Sequence, residues 1–324
     1  MEYVALGRDG IKVSRLCIGS LTVGPLQANL ELEEGAGVLA YAFERGINFT
    51  DTAQYYRNYA YIKRAMQISG KYDTVISTKT YAYDRKGAEE AFEEARRELD
   101  RDYIDIFMLH EQESIHTLRG HIEAAEFLFE MREKGYIRSV GVSMHHVAAV
   151  EGVRELSRIY PFSIIHPIFN KAGLGIADGD ITAMTEAMKK AKESGIGIFS
   201  MKPLGGGNLI KSASEALDFV LDAKGFAGDS LCDSIAIGMQ SEKEVDANIS
   251  YIENRTFGDA ADELKKKHRK LHIEEYCEGC GNCTKRCNQG ALTVSNGKAI
   301  LDDKKCVLCG YCSAVCPLFA IKVL

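Results

Sequence analysis

Short apolar runs alternate with stretches of helical periodicity along most of this chain. The runs at 16–19, 47–50, 74–78, 103–109, 138–142, 162–165, 196–200 and 233–238 read as strands. Amphipathic stretches separate most of them. In 88–99, Ala88, Ala91, Phe92, Ala95 and Leu99 fall on one face of a helix. A second stretch places Ile122, Ala125 and Phe129 together in the same way. Eight strands, each followed by a helix, is the pattern of a (β/α)8 TIM barrel. Residues 1–14 read as a preceding hairpin that turns at Gly7-Arg8-Asp9-Gly10. The segment 224–230 is loop-like and makes the eighth strand the hardest to place.

The periodicity changes after residue 258, and cysteines take over. One run reads Cys277-x-x-Cys280-x-x-Cys283-x-x-x-Cys287. It returns as Cys306-x-x-Cys309-x-x-Cys312-x-x-x-Cys316-Pro317, so each cysteine recurs after 29 residues. Ala291-Leu292-x-Val294 likewise returns as Ala320-Ile321-x-Val323. This is the bacterial spacing for iron–sulfur clusters held by four thiolates, in which the fourth cysteine of each run serves the other cluster. Cys277, Cys280, Cys283 and Cys316 are then one ligand set, and Cys306, Cys309, Cys312 and Cys287 the other. Two [4Fe–4S] clusters are expected. Zinc sites use paired Cys-x-x-Cys motifs at longer separation and have no use for a cysteine three residues further on. Asn288 departs from the Pro that often follows the first run. The expected organisation is a barrel over 1–258, a basic helical linker over 259–272 and a small α+β two-cluster ferredoxin-like domain over 273–324. The linker carries Lys265-Lys266-Lys267-His268-Arg269-Lys270, read as a solvated face or as a docking patch for an acidic redox protein.

Composition narrows the function classes. The formal net charge of −6 argues against a nucleic-acid partner. No apolar run of membrane-spanning length and no signal peptide stand out, so a cytoplasmic protein without a membrane partner is expected. Eight of the 10 cysteines belong to the two runs, which implies a reducing compartment. The remaining Cys17 and Cys232 lie in apolar surroundings and read as small buried hydrophobes.

In a barrel of this type the working residues sit past the C-terminal ends of the strands. Asp51 follows strand two, with Tyr56 in the loop beyond it. Lys79 ends strand three and His110 ends strand four. Together they form an acid–base set. A phenol ordinarily titrates near pKa ~10. A neighbouring Lys, fixed by an Asp, is expected to favour its phenolate, and a His to hydrogen-bond a carbonyl oxygen.

These positions carry a resemblance. Asp51-Thr52-Ala53-x-x-Tyr56, Ser77-Thr78-Lys79, Leu109-His110 and Gly141-Val142-Ser143 resemble the aldo-keto reductases. So do Leu6-Gly7-x-x-Gly10-x-x-Val13-Ser14 and Pro203-Leu204-Gly205-Gly206-Gly207. The resemblance covers about 1–255, and the whole chain is similar to the ferredoxin-tailed branch of that family. It implies metal-free hydride transfer from NADP or NAD to a small carbonyl substrate. Tyr56 would be the general acid in preference to its neighbour Tyr55, with Lys79 and Asp51 tuning it and His110 orienting the carbonyl. Cofactor contacts would come from Gly19, Ser143, Lys202, Leu204, Gly206, Gly238 and Asn248. Loops after strands seven and eight are where barrels hold phosphate, and glycines let backbone amides approach it. Ser241-x-x-Glu244 is a capping-box pattern at a helix start. Four positions depart from the family. Glu244 stands where NADPH-preferring relatives place an Arg, Met144 replaces an Asn, His166 a strand-six Gln, and Met201 a stacking aromatic. His145 and His146 read as loop or capping residues, and His116 and His121 as flanking a helix start on a substrate-side loop, where they could shape the pocket.

The two halves do not form an obvious circuit. Hydride transfer moves two electrons together, a [4Fe–4S] cluster moves one, and no flavin fingerprint links them. Three explanations stay open: the clusters deliver electrons to a substrate or cofactor in the barrel, the tail docks to a redox partner such as a ferredoxin or flavoprotein, or the clusters mainly stabilise the fold. The competing reading is an electron-transfer or redox-sensing protein whose barrel no longer does hydride chemistry.

Overall fold

The hairpin of β1 (Tyr3–Leu6) and β2 (Ile11–Ser14) closes the N-terminal end of a barrel of eight parallel strands. These are β3 (Leu16–Gly19), β4 (Phe49–Asp51), β5 (Val75–Thr80), β6 (Ile104–Gln112), β7 (Ile137–Met144), β8 (Ile164–Pro167), β9 (Gly197–Met201) and β10 (Ser234–Gly238), with β10 hydrogen-bonded back to β3. The computed structural model describes residues 1–260 and 269–323. Among the described residues no helix is long and apolar enough to cross a membrane.

The chain forms these elements for local reasons. The helix Arg85–Leu99 starts where the Asp84 carboxylate accepts the Gly87 amide at 2.7 Å and ends at Asp100 in the left-handed region. Its buried residues are the five the periodicity predicts, and Phe92 meets Phe107 and Phe127. Burying one such side chain contributes roughly 1.5–3 kcal/mol. Inside the barrel, Cys17, Phe49, Val75, Ile106, Met108, Ile164 and Phe199 pack against Leu6, Ile11 and Val13 of the hairpin. Cys17 and Cys232 are both buried, as expected.

Strand boundaries differ from the expectation in a consistent direction. The second barrel strand starts at Phe49, because the Asn48 side chain accepts the Ser14 amide at 2.7 Å and belongs to the hairpin junction. Five strands continue past their apolar runs, taking in Lys79–Thr80, His110–Gln112, Ser143–Met144, His166–Pro167 and Met201. The apolar run marks the sealed part of each strand. The ladder continues through polar residues at the mouth.

The tail keeps its repeat at the level of the backbone. Gly279 and Leu308, Gly281 and Gly310, and Gly290 and Phe319 are each 29 residues apart, and all six are left-handed. β12 (Leu292–Ser295) and β13 (Lys298–Leu301) form a hairpin, and β11 (Leu271–Ile273) pairs with β14 (Ile321–Val323). The expected linker 259–272 is corrected at its end, since Leu271 and His272 belong to this sheet. The stretch 261–268, expected as a basic helix, lies outside the described residues.

The second copy of the repeat sits on the C-terminal mouth of the barrel. Val323 donates its amide to the Gly206 carbonyl at 2.9 Å, Asn208 donates to the Ser313 hydroxyl, and the Phe319 ring is buried with the barrel's core residues. In the first copy the matching Asn288, Gln289, Gly290 and Thr293 are exposed. Gly207 carries φ +83, and a Cβ there would lie 1.9 Å from the Val323 carbonyl oxygen. Gly207→Ala should therefore undock the tail at a cost of about 1–3 kcal/mol. Calorimetric unfolding should resolve two transitions in the variant where the parent shows one. A single unshifted transition would contradict the docking.

Candidate active site

Asp51, the last residue of β4, and Lys79, near the end of β5, meet as an ion pair inside the barrel mouth. Lys79 Nζ lies 2.8 Å from both Asp51 carboxylate oxygens and 2.7 Å from the Thr52 carbonyl oxygen. Both side chains are almost fully buried. Breaking such a pair by removing one partner typically costs about 3–5 kcal/mol. Burial would raise the Asp51 carboxyl, but Lys79 and His166 outweigh it and hold the group far below the ordinary carboxylate range. His166, on β8, donates Nδ1–H to the Phe199 carbonyl at 2.7 Å and turns Nε2 toward Asp51 at 3.5 Å.

Tyr56 and His110 complete the group. The rings lie 5.7 Å apart edge-on, and Lys79 Nζ is 5.2 Å from the Tyr56 ring centroid. Tyr55 is exposed and packs edge-on to Tyr81, away from the ion pair. The expectation that Lys79 favours a Tyr56 phenolate is corrected. The three Lys79 N–H groups are directed at Asp51 and Thr52, while burial and then the Asp51 charge push the phenol well above its usual value. Tyr56 thus stays protonated. Burial drives His110 down to about 3, so its ring is neutral. A register shift between Leu109 and Gln112 interrupts the β6–β7 ladder there, and Glu111 takes φ +48. Bulges of this kind re-aim side chains beside active sites. Tyr81 stacks on His110 at 4.3 Å, and the His110 Nδ1 atom is buried without a hydrogen-bond partner.

These residues border a cavity of about 620 Å³, which the tail roofs through Glu274, Tyr276, Pro317, Phe319 and Lys322. Its size is ordinary for a small-molecule or cofactor site. Of the expected cofactor residues, Gly19, Lys202, Leu204, Gly206 and Gly238 line it. Ser143 is buried behind the wall, with its hydroxyl accepting the Glu111 amide at 2.9 Å. Asn248 donates to the Glu244 carbonyl within its own helix. The capping pattern forms at Ser241, which accepts the Glu244 amide. The glycine loop is partly taken by β14, so one face expected to cradle a pyrophosphate carries a strand instead. Met201, His145, His146 and His166 also line the cavity. Sequence reasoning missed Glu111, Tyr81, Glu274, Phe319 and Lys322. The available signal was the repeat itself, which breaks where Phe319 and Lys322 replace the exposed Gly290 and Thr293.

The eight cysteines divide as their spacing predicts. Cys277, Cys280, Cys283 and Cys316 surround one small apolar-walled cavity, and Cys287, Cys306, Cys309 and Cys312 another. The amides of Ala299, Ala291 and Ala320 point at Cys277, Cys287 and Cys316 sulfurs at 3.2–3.5 Å. Four thiols around a closed apolar space, with amides directed at sulfur, suit an iron–sulfur cluster.

Residues 15–275 match the aldo/keto reductase family. The chain belongs to that family. Residues 276–321 match a 4Fe-4S dicluster domain. Over 289 residues the chain is 25% identical to the L-galactose dehydrogenase of Arabidopsis thaliana, covering 78% of this chain and 88% of that one. It is also 25% identical to the methylglyoxal reductase DkgA of Escherichia coli over 175 residues, spanning 52% of this chain and 63% of that one. The aldo-keto reductase AKR11C1 from Bacillus halodurans, in its holo form, shares the fold with a TM-score of 0.63 at 20% identity, covering 78% of this chain and 91% of that one. This aldo/keto reductase is thus an oxidoreductase with an iron–sulfur domain on its C-terminal side.

The depressed His110 pKa has a direct consequence. The unfolded ring titrates near ~6.5. The unfolded chain therefore takes up the proton first, and the stability contribution present above that pH is lost as pH falls from there toward about 3. In nitrogen-detected NMR of His-labelled protein, His110 should keep neutral-ring shifts from pH 8 to pH 5, identified by its absence in His110→Gln. Titration of that signal near neutrality would mean the ring is not sealed.

Proposed function

We propose that this chain reduces a small carbonyl compound in the roofed cavity, with Tyr56 as the proton donor. The observation that carries the reading is the buried Asp51–Lys79 pair beside Tyr56 and His110 on one wall of a cavity of suitable size. NADPH or NADH, when bound, supplies the hydride. Gly19, Leu204 and Gly238 are the residues that would hold it. Neutral His110 donates a hydrogen bond to the carbonyl oxygen and orients it. Tyr56 gives its proton to the developing alkoxide beside the Lys79 ammonium, which lies 5.2 Å from the phenol's ring centroid. Asp51 keeps that lysine charged and in place. Burial makes the phenol a reluctant acid in the free enzyme, so its proton moves as negative charge develops on the oxygen beside it.

Two [4Fe–4S] clusters complete the proposal, one in each cysteine set. A second reading, one-electron exchange between the bound compound and the tail, is favoured by one placement. Tyr276 and Pro317, chain neighbours of Cys277 and Cys316, wall the same cavity as Tyr56. A ferredoxin or flavoprotein would be the external partner in that case.

Tyr56→Phe should lower kcat/KM for carbonyl reduction by roughly 10²–10⁴-fold, the usual range for a general acid, while iron content stays unchanged. An unaffected rate would remove Tyr56 from the mechanism. The cysteine grouping has its own check. Cys316→Ala and Cys277→Ala should each lose the same half of the bound iron, and Cys287→Ala the other half, with matching electron paramagnetic resonance spectra for the first two. A Cys316→Ala spectrum matching that of Cys312→Ala would overturn the assignment.

A further inference from the structure

We propose that Lys202 and Lys322 form a carboxylate subsite in the roofed cavity, so that the carbonyl compound reduced there carries a carboxylate, as a 2-oxo acid does. The inference rests on the carbonyl-reduction reading and adds the substrate class to it.

Both lysines line the cavity, Lys202 from the barrel and Lys322 from the tail. Lys322 is only 4% exposed. Buried cations are normally paired. Among the described residues, neither lysine has a carboxylate within 4.0 Å. Lys322 Nζ donates to the Phe319 carbonyl, and Lys202 Nζ lies 2.9 Å from His145 Nε2. An ammonium has three N–H groups, so each lysine keeps donors for a ligand. The Phe319 ring holds both heads, at 5.5 Å from Lys202 Nζ and 3.4 Å from Lys322 Nζ. Burial pulls both lysines below the ordinary value, a cost that a bound anion relieves.

Two further features show that this corner is built for a purpose. Lys202 at φ +58 and Phe319 at φ +48 are both left-handed, an uncommon and strained conformation for such residues. Lys322 and Phe319 are also departures from the repeat, standing where the first copy has Thr293 and Gly290. The cluster scaffold does not require them, since the first copy manages without.

Location selects a substrate carboxylate over a nucleotide phosphate. β14 packs against the glycine loop at Gly206 and Gly207, where a pyrophosphate would otherwise approach closely. Lys202 is near enough to His110 to lower its pKa further. An anion held there sits beside the carbonyl that His110 orients.

The test uses oxalate as a non-reducible probe with the full, cluster-loaded chain. Calorimetry should show one site, weakened at least tenfold in Lys322→Met and in Lys202→Met, with iron content and melting temperature unchanged. Tyr56→Phe should still bind oxalate through the lysines. In turnover, Lys322→Met should raise KM for pyruvate at least tenfold and leave KM for the neutral ketone hydroxyacetone within about twofold. Oxalate binding that ignores both lysine substitutions overturns the proposal. So does inorganic pyrophosphate displacing NADPH through these lysines while oxalate fails to bind, which would assign them to the nucleotide. Should the parent reduce no carbonyl at all, the carbonyl-reduction reading fails, and oxalate binding still decides the anion subsite.

Discussion

Closure of the barrel mouth by the second half of the tail governs the rest of this molecule. An open barrel would leave its strand-end residues in water, where a phenol, an imidazole and a carboxylate titrate at ordinary values. The contact that seats the roof includes the Val323 amide on the Gly206 carbonyl, the Asn208 side-chain amide on Ser313 and Ile321, Lys211 on the Val307 carbonyl, and the Phe319 ring. Once seated, the roof takes the site out of bulk solvent, and charge there becomes costly. Burial is the largest cause of both shifts, upward for Tyr56, where the Asp51 charge adds to it, and downward for His110.

The Asp51–Lys79 pair is how the chain keeps a cation in such a place. A lone ammonium in the barrel mouth would lose its proton. Two carboxylate oxygens and the Thr52 carbonyl take its three N–H groups, and His166 adds a contact to the Asp51 side. His166 thus serves the charge network at the same time as it forms part of the cavity wall. Lys322, buried, and Lys202, half-buried, by contrast have no comparable partner among the described residues. One cation is stabilised by the fold, and two are left for something else.

The barrel was legible because alternating apolar runs and amphipathic helices report burial, and burial is what a barrel's two layers require. The 88–99 face and the interior residues follow directly from that. The convergence of Asp51, Tyr56, Lys79 and His110 was legible from type and position, since strand ends converge whatever the loops do. The cysteine sets followed from spacing alone. Three things were not legible. Strand ends ran past the apolar residues, because backbone ladders do not need apolar side chains. The Tyr56 shift depends on a roof contributed by residues some 220–270 positions further along the sequence. The packing of β14 on Gly206 and Gly207 was not visible in the sequence, because a glycine that admits a phosphate admits a strand equally well.

The repeat explains how one small domain serves two surfaces. An iron–sulfur scaffold with internal symmetry presents equivalent loops on opposite sides. Here the first copy keeps Asn288, Gln289, Gly290 and Thr293 exposed. The second copy replaces them with Pro317, Leu318, Phe319 and Lys322, which face the cavity. The symmetry is broken on one side only. That orients the domain: the Cys277, Cys280, Cys283 and Cys316 set adjoins the barrel site through Tyr276 and Pro317, while the other set lies beside exposed Val307 and Tyr311. On the proposed reading, electrons arriving from outside meet the second set before the first. A domain that served only to stabilise the fold would have no reason to turn its altered copy inward, place a strained phenylalanine at a glycine position and bury a lysine over it.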